Sequence, residues 1–502
     1  MDRARHRRPG RLDPAHVARA AGRGAVSIVL RPYQEQNVAE ILACLARKES
    51  PLYVLPTGGG KTQCFVSVVD AVGEAGWESA IFVHRKELLR QASKRLTQIG
   101  IPHGVIMPGC ELTSHRVHVA SIDTVGARFE SLTPWLKRLH LGIADEAHHA
   151  VANKWDRVLQ MIPQHLGVTA TPCRTDGKGL GETGLFHRLV RGPGIAALTR
   201  AGYLAPAVVY APPTGLDLSK VAKRGGDYVI GQLASVVDAD FLTLTAVRWY
   251  ARKCLGEPAV VFCTTVEHAK HVAEAFCAHG WRARSVDGSM RDEDRDAAIG
   301  GLADGSVQVL TSCELIGEGL DIPAVSAAIL LRPTESTALY LQQVGRALRP
   351  HEDKTEATIL DLVGNTAKHG MYDADRQWDL KGGLRGLERA VAGTWRCRKC
   401  HRVQGRPDTT RVMTCSCGAT QKTSGFASAA VESHAPIAGV AADDLMRMKF
   451  QDAVKLLKSY ADLVAYGTLR NMEHPRVWAK MTMERREAIK ARYRPRSFGG
   501  RW

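Results

Sequence analysis

"LYVLPTGGGKT", residues 52–62, decides how this chain is read. An apolar run ends in proline and three glycines, and the chain restarts as "KTQCFVSVVDAV" (61–72), the pattern of a buried strand, a tight turn and a helix. Gly58, Gly59 and Gly60 let backbone N–H groups converge on phosphate oxygens, and the helix N-terminus adds its partial positive charge. Lys61 can then reach the β- and γ-phosphates of a nucleotide, and the Thr62 hydroxyl can ligate Mg²⁺. The general phosphate-loop pattern places a glycine six residues before the lysine, where this chain has Leu55; Gly58-x-Gly60-Lys61-Thr62 is intact.

Outward from the loop, short apolar runs alternate with amphipathic stretches. "PLYVL", "SAIFVH", "RVHVAS", "LGIAD" and "LGVTAT" read as buried strands, with helical spacing in "QNVAEILACLARK" and "ELLRQASKRLTQI". A second set follows in "PAVVFC", "ARSVDG", "VQVLTS", "SAAILLRP" and "EATILDLV", separated by "VEHAKHVAEAFCAHG" and "TALYLQQVGRALR". Strands alternating with helices imply α/β units with parallel sheets covered on both faces, and ligands bind beyond the carboxyl ends of such strands. Residues 28–205 and 251–390 are therefore expected to form two α/β domains. Residues 206–250, irregular around "APPTGLDLSKVAKRGGD", are expected to form a connecting insertion.

An acid at the end of a second strand is needed to hold a nucleotide's Mg²⁺. "LGIADEAHHA" (141–150) supplies Asp145 there, with Glu146 beside it to polarise the attacking water. A zinc site made by these residues alone lacks the HExxH spacing, so the metal is expected to arrive with the nucleotide. In "QQVGRALRP" (342–350), Gln342, Arg346 and Arg349 are spaced i, i+4, i+7 and would share one helix face. Two guanidiniums in the opposite domain suit a γ-phosphate reached when the cleft closes.

The chain has 502 residues and a formal net charge of +17, with 45% hydrophobic and 24% charged residues. Residues 1–24 carry seven Arg against two Asp, and residues 476–502 nine Lys or Arg against two Glu. A basic N-terminal arm (1–27) and a basic C-terminal region imply a polyanionic partner, most simply nucleic acid. No apolar run approaches the ~18 residues of a membrane span, so no membrane partner is expected. Of twelve cysteines, eight are scattered singly, the pattern of reduced, buried thiols in a cytoplasmic protein. The other four form "CRKCHRVQGRPDTTRVMTCSCGA": Cys397, Cys400, Cys415 and Cys417 read as a Zn²⁺ ribbon within 391–425. The second pair is C-x-C, which leaves His401 open as a substitute ligand. Residues 426–502 are expected to be helical and basic. They end in "RYRPRSFGGRW", which fits either a nucleic-acid arm with stacking aromatics or a tail that docks on a protein partner.

Taken in order, these motifs resemble the superfamily-two helicases from about residue 28 to 370, with Asp145–His148 matching the DEAH tetrad. The resemblance implies two tandem RecA-like domains and ATP with Mg²⁺ as ligands. "LRPYQ" would read adenine through Gln34, with Arg31 or Tyr33 nearby. "FVHRKELLRQ" and "VASIDTV" would contact nucleic acid through His84, Arg85, Ser121 and Thr124, and "VLTSCELIGEGLDIP" through Thr311, with Gly319 and Asp321 facing the nucleotide. His148, Thr169 and Thr171 of "VTATP", and Gln342, would couple hydrolysis to motion. A narrower resemblance, through "DEAHHA", "LRPTESTALYLQQVGRALRP" and "ILDLVGNTAKHG" followed by cysteines, is to the RadD-like DNA-repair ATPases of bacteria and phages. It implies DNA, single-stranded or branched, and a repair or single-strand-binding protein as partners. Two other readings stay open: an RNA helicase or RNP remodeller, and a DNA-stimulated ATPase that recruits repair factors without unwinding.

Overall fold

The computed structural model describes residues 29–149, 153–172, 179–313, 325–352, 354–381, 394–405 and 412–422, with scattered positions between 454 and 483. The basic arm (1–27) and nearly all of 426–502 lie outside the described residues.

The first half is a seven-stranded sheet of β1 (Pro51–Val54), β2 (Ser79–Val83), β3 (His103–Ile106), β4 (Val117–Ser121), β5 (Leu141–Asp145), β6 (Gln164–Thr169) and β7 (Arg188–Arg191). The order is β3-β4-β2-β5-β6-β1-β7, and every pairing is parallel. The central strands read as unbroken apolar runs because both faces are covered. Alternate residues divide between two cores: Tyr53, Ile81 and Val83 pack with Phe65 and Leu89 on one face. Leu52, Val54, Ala80 and Phe82 pack with Trp135, Leu159 and Phe186 on the other.

The second half holds β8 (Ala207–Tyr210), a short β9–β10 hairpin (Lys223–Arg224 and Asp227–Tyr228), β11 (Ala259–Phe262), β12 (Ala283–Val286), β13 (Val309–Ser312), β14 (Ala327–Leu330) and β15 (Ala357–Asp361). Beyond them lie β16 (Thr394–Arg396), β17 (Arg402–Gly405), β18 (Val412–Thr414) and β19 (Thr420–Lys422). The main sheet runs β12-β13-β11-β14-β15-β8-β17-β16, parallel as far as β8 and then antiparallel.

The anticipated strands and helices form, with three differences. Strands β3 and β7 sit at sheet edges: β7 carries exposed Arg188 and Arg191, and β3 is a half-buried stretch of four residues that opens on His103, so neither was marked as a buried run. The stretch 206–250 is irregular only in part: β8 is an interior strand of the second sheet, and the helices Ile230–Val237 and Asp240–Lys253 pack Val237, Val247 and Tyr250 into its core. The cysteine segment is no separate appendage, because β17 pairs with β8 and extends that sheet. Among the scattered cysteines, Cys44, Cys64, Cys254 and Cys263 are buried as expected, but Cys277 is exposed. Among the described residues no single helix is long and apolar enough to cross a membrane.

The halves meet along three seams. Thr57 of the phosphate loop lies against Gly345. The segment after β15 returns to the first half, where the Gly181 amide donates to the Leu380 carbonyl at 2.8 Å and Trp378 joins the core around Trp135. The helices Lys86–Gln98 and Asp292–Asp304 are clasped by charge: Arg90 to Asp292 at 2.5 Å, and Arg295 to Glu87 at 3.3 Å and Asp292 at 2.6 Å. The Arg295 side chain is 6% exposed and that of Glu87 16%, so this pair is largely shielded from water and screened little by salt. Glu87→Ala leaves a buried guanidinium with one partner fewer and is expected to cost about 1–3 kcal/mol. Glu87→Gln, which keeps an acceptor oxygen, should cost less. A denaturant midpoint equal to wild type for the alanine variant would remove the clasp as a stabilising contact.

Candidate active site

The phosphate loop joins β1 to the helix Lys61–Glu74. Gly58 and Gly60 take φ of 84° and 87°, a conformation that side-chain-bearing residues adopt only with strain. A Cβ on Gly60 would also lie 2.4 Å from the Gln34 amide nitrogen. That contact reflects a clamp. The Gln34 amide donates to the Gly59 carbonyl at 3.0 Å, and the Tyr33 hydroxyl donates to the same oxygen at 2.7 Å. Arg31 donates to the Tyr33 hydroxyl at 3.1 Å, and its guanidinium lies 4.5 Å from the Tyr203 ring centroid. The "LRPYQ" segment thus holds the loop from behind. Lys61 folds back, its ammonium 3.4 Å from the Leu55 carbonyl.

Asp145 ends β5 and is buried. Burial first, then the Glu146 carboxylate beside it, push its pKa well above the carboxylate range, against the pull of Lys61. Glu146 has φ 51°, and its N–H donates to Asp145 Oδ1 at 3.0 Å. Glu146 Oε2 lies 3.5 Å from His148 Nδ1. His148 Nδ1 is 3.1 Å from Thr169 Oγ1, which bonds both the carbonyl (3.0 Å) and the N–H (3.1 Å) of Thr171. The DEAH turn and the end of β6 are therefore one hydrogen-bonded unit.

From the second half, the helix Thr337–Ala347 brings buried Gln342 and Arg346 to the cleft. The helix ends at Leu348, so Arg349 does not extend its face as the i, i+4, i+7 spacing implied. Pro350 disfavours helical backbone at the residue before it. Arg349 still reaches the loop, its Cγ 3.7 Å from where a Cβ on Gly58 would stand. Burial lowers its pKa to about 10, which leaves it charged at neutral pH. Lys354 holds this end of the helix by donating to the carbonyls of Ala347, Arg349 (2.9 Å) and Val325 (2.7 Å). Three polar atoms about the cleft, Glu146 Oε2, Thr171 Oγ1 and Gln342 Nε2, are buried without a hydrogen-bond partner among the described residues.

Residues 27–174 match the family described as type III restriction enzyme, res subunit, and residues 245–351 the helicase conserved C-terminal domain. A 51.5 kDa protein of a Lactococcus phage is 31% identical over 64% of this chain and 68% of its own length. The chain belongs to the superfamily-two helicases. IRC3 of Saccharomyces cerevisiae, which carries an ATP-dependent helicase designation, is 27% identical over 67% of this chain but only 52% of its own. The chain thus spans about half the length of that relative. The DNA 3'-5' translocase XPB2 of Sulfurisphaera tokodaii is 24% identical over 67% of this chain and 82% of its own. A fragment of an HsdR subunit of a type I restriction enzyme from Vibrio vulnificus shares the fold, with a TM-score of 0.55 at 20% identity, over 71% of this chain and 67% of that one.

The helicase residues expected to touch nucleic acid divide. His84 and Arg85 follow β2, half-buried at the strand end. Ser121 ends β4, and its hydroxyl accepts the Thr124 N–H at 3.5 Å as a helix cap, with Thr124 buried. Thr311 is a correction: it is fully buried in β13 and its hydroxyl donates to the Ala269 carbonyl at 2.6 Å, so it faces the packed helix and no nucleic-acid surface. Gly319 and Asp321 lie outside the described residues. Tyr203 and the Glu87–Arg295 pair carry no signal in the sequence, since each acts through a partner distant along the chain, and Lys354 carries none because its partners are backbone carbonyls.

Cys397, Cys400, Cys415 and Cys417 place their sulfurs within 4.8 Å of one another, with Cys397–Cys417 at 3.7 Å and Cys400–Cys415 at 3.5 Å. Sulfurs about 2.3 Å from a tetrahedral zinc would be about 3.8 Å apart, so the four thiols fit such an ion despite the C-x-C spacing. His401 does not substitute. Its φ of 61° turns the chain, and its ring packs 5.7 Å from Trp249.

The contact between Thr57 and Gly345 leaves no room for a side chain: a Cβ at 345 would stand 2.7 Å from Thr57 Cβ. Gly345→Ala must push the Arg346 helix off the phosphate loop, at about 1–3 kcal/mol of overpacking. ATP turnover is expected to fall about tenfold or more, since misplacing reacting groups by an ångström has costs of that order. Wild-type turnover in that variant would show that the seam is irrelevant to the chemistry.

Proposed function

We propose that this helicase hydrolyses ATP in the cleft between its halves and uses the cycle to translocate on or unwind DNA. The observation that carries the reading is the seam itself: the phosphate loop meets the Arg346 helix there beside the DEAH carboxylates, and Thr171 Oγ1 and Gln342 Nε2 are buried without a hydrogen-bond partner among the described residues. Unpaired buried polar atoms cost about 1–3 kcal/mol each, and such a cost is retained where a ligand or a reaction uses it.

In this reading the loop amides and Lys61 bind the phosphates, and Thr62 and Asp145 hold Mg²⁺. The ion, when bound, offsets charge on the β- and γ-oxygens. Glu146 orients the attacking water and accepts its proton. Arg346 and Arg349 reach the γ-phosphate only while the Thr57–Gly345 seam is closed. Gln34 would read the adenine, and nucleotide binding would then compete with its bond to Gly59. Loss of the γ-phosphate then loosens the seam and moves one half against the other.

DNA is favoured as the track by the likeness to a DNA translocase, by the net charge of +17 and by the RadD-like motifs, which also suggest a role in repair beside a single-strand-binding partner. The four cysteines would hold one Zn²⁺ as the staple of a segment too small to bury a core. Turnover measured with single-stranded, duplex and branched DNA and with RNA tests the reading; stimulation by RNA alone would replace DNA with RNA.

Lys61→Ala is expected to abolish hydrolysis while nucleic acid still binds. Glu146→Gln should keep ATP bound but slow turnover by about 10²–10⁴-fold, the range for a lost general base. An equal loss of nucleotide affinity in Glu146→Gln would show that the roles of Asp145 and Glu146 are exchanged.

Elemental analysis of protein purified without chelator should find one zinc per chain, lost in a Cys397→Ser, Cys400→Ser double variant. Because β17 pairs with β8, that variant should also melt at lower temperature. Protein free of zinc as isolated would contradict the assignment.

A further inference from the structure

We propose that His149, the second histidine of "DEAHHA", is a positioning residue that ties the nucleic-acid end of β2 to Glu146. The proposal rests on the reading of the chain as a nucleic-acid-stimulated ATPase and deepens it by naming how the stimulus reaches the carboxylate.

The strands concerned are neighbours. In the order β4-β2-β5-β6 their carboxyl ends stand side by side, so His84 after β2, the turn after β5 and Thr169 of β6 form one row. A continuous set of contacts runs along it. Arg85 Nε donates to His84 Nε2 at 3.4 Å. The His84 ring lies 4.4 Å from that of His149, tilted by 53°, and the His149 ring lies 4.2 Å from that of His148, tilted by 41°. His148 Nδ1 then meets Glu146 Oε2 at 3.5 Å and Thr169 Oγ1 at 3.1 Å. His149 is the exposed member of the three rings, so it is the one a strand lying over His84 and Arg85 would touch.

The backbone supplies a second connection. Residues Ala147–His149 form a single 3₁₀ turn, and the His149 N–H donates to the Glu146 carbonyl at 2.9 Å. Glu146 itself is held at φ 51°, a conformation that persists only where its surroundings enforce it. A shift of the His149 ring is therefore passed to the Glu146 peptide through a closed hydrogen-bonded ring as well as through His148. Tilted ring contacts of this kind need only a flat ring at position 149, whereas removal of the ring leaves a gap between His84 and His148.

The test compares His149→Ala and His149→Phe in the full-length protein. ATP turnover is measured without nucleic acid and with whichever of single-stranded DNA, duplex DNA or RNA stimulates wild type most. Coupling free energies of 1–3 kcal/mol correspond to about 5- to 150-fold, so His149→Ala should lower the ratio of stimulated to unstimulated turnover at least about fivefold. Unstimulated turnover and the KM for ATP should stay near wild type, and His149→Phe should recover most of the ratio. A wild-type ratio in His149→Ala overturns the proposal. So does an equal fall of stimulated and unstimulated turnover, which marks a structural role, and so does a phenylalanine variant as defective as the alanine one. A wild-type protein that no nucleic acid stimulates overturns the underlying reading as well, and that outcome is distinct because it appears before any variant is made.

Discussion

The carbonyl of Gly59 accepts two side-chain hydrogen bonds, from Tyr33 and Gln34, and the rest of the site is arranged around the loop they hold. A phosphate loop must present N–H groups outward, which turns its carbonyls toward the protein, where they need donors. The "LRPYQ" segment provides those donors from one side, and Thr57 meets the Gly345 helix on the other. The loop is thus clasped between the first helix of one half and the arginine helix of the other. Any ligand that disturbs the clamp is felt by both.

Charge follows the same geometry. In parallel sheets the carboxyl ends of all strands lie along one edge, so Asp145, His84 and Thr169 come together without being close in sequence. Burial there, and then the Glu146 carboxylate beside it, raise the pKa of Asp145. On the far side of the cleft Lys354 uses its buried ammonium to fix the end of the arginine helix; burial, and Arg349 beside it, lower its pKa to about 8. The two halves are also tied by the Glu87–Arg295 clasp and by the return of residues 378–380 to the first core. Motion between them therefore has to break specific contacts rather than merely swing on a linker.

Much of this was legible in the residues alone, for identifiable reasons. Buried parallel strands announce themselves as apolar runs, and the glycines of the loop, the paired acids after β5 and the paired cysteines are local patterns whose spacing carries the chemistry. Local reading failed where an element's identity depends on what lies beside it. The edge strand β7 has exposed arginines and β3 only four half-buried residues, β8 was hidden beside the irregular stretch that opens on Pro212 and Pro213, and Pro350 ends the helix before Arg349. Thr311 sits at a motif position, yet its strand turns it toward the helix Val266–Ala278.

The sequence by itself determined the fold class, the phosphate loop and the identity of the acids and arginines, because each is written within a dozen consecutive residues. The tertiary structure decided which of those groups touch: Gln34 on the loop, Gly345 on Thr57, the three imidazole rings in contact, and four sulfurs brought within reach of one ion. The reason is range. Strand and helix patterns are set by neighbours along the chain, whereas Gln34 to Gly59, Thr57 to Gly345 and His84 to His149 join residues tens to hundreds of positions apart, and strand order places them.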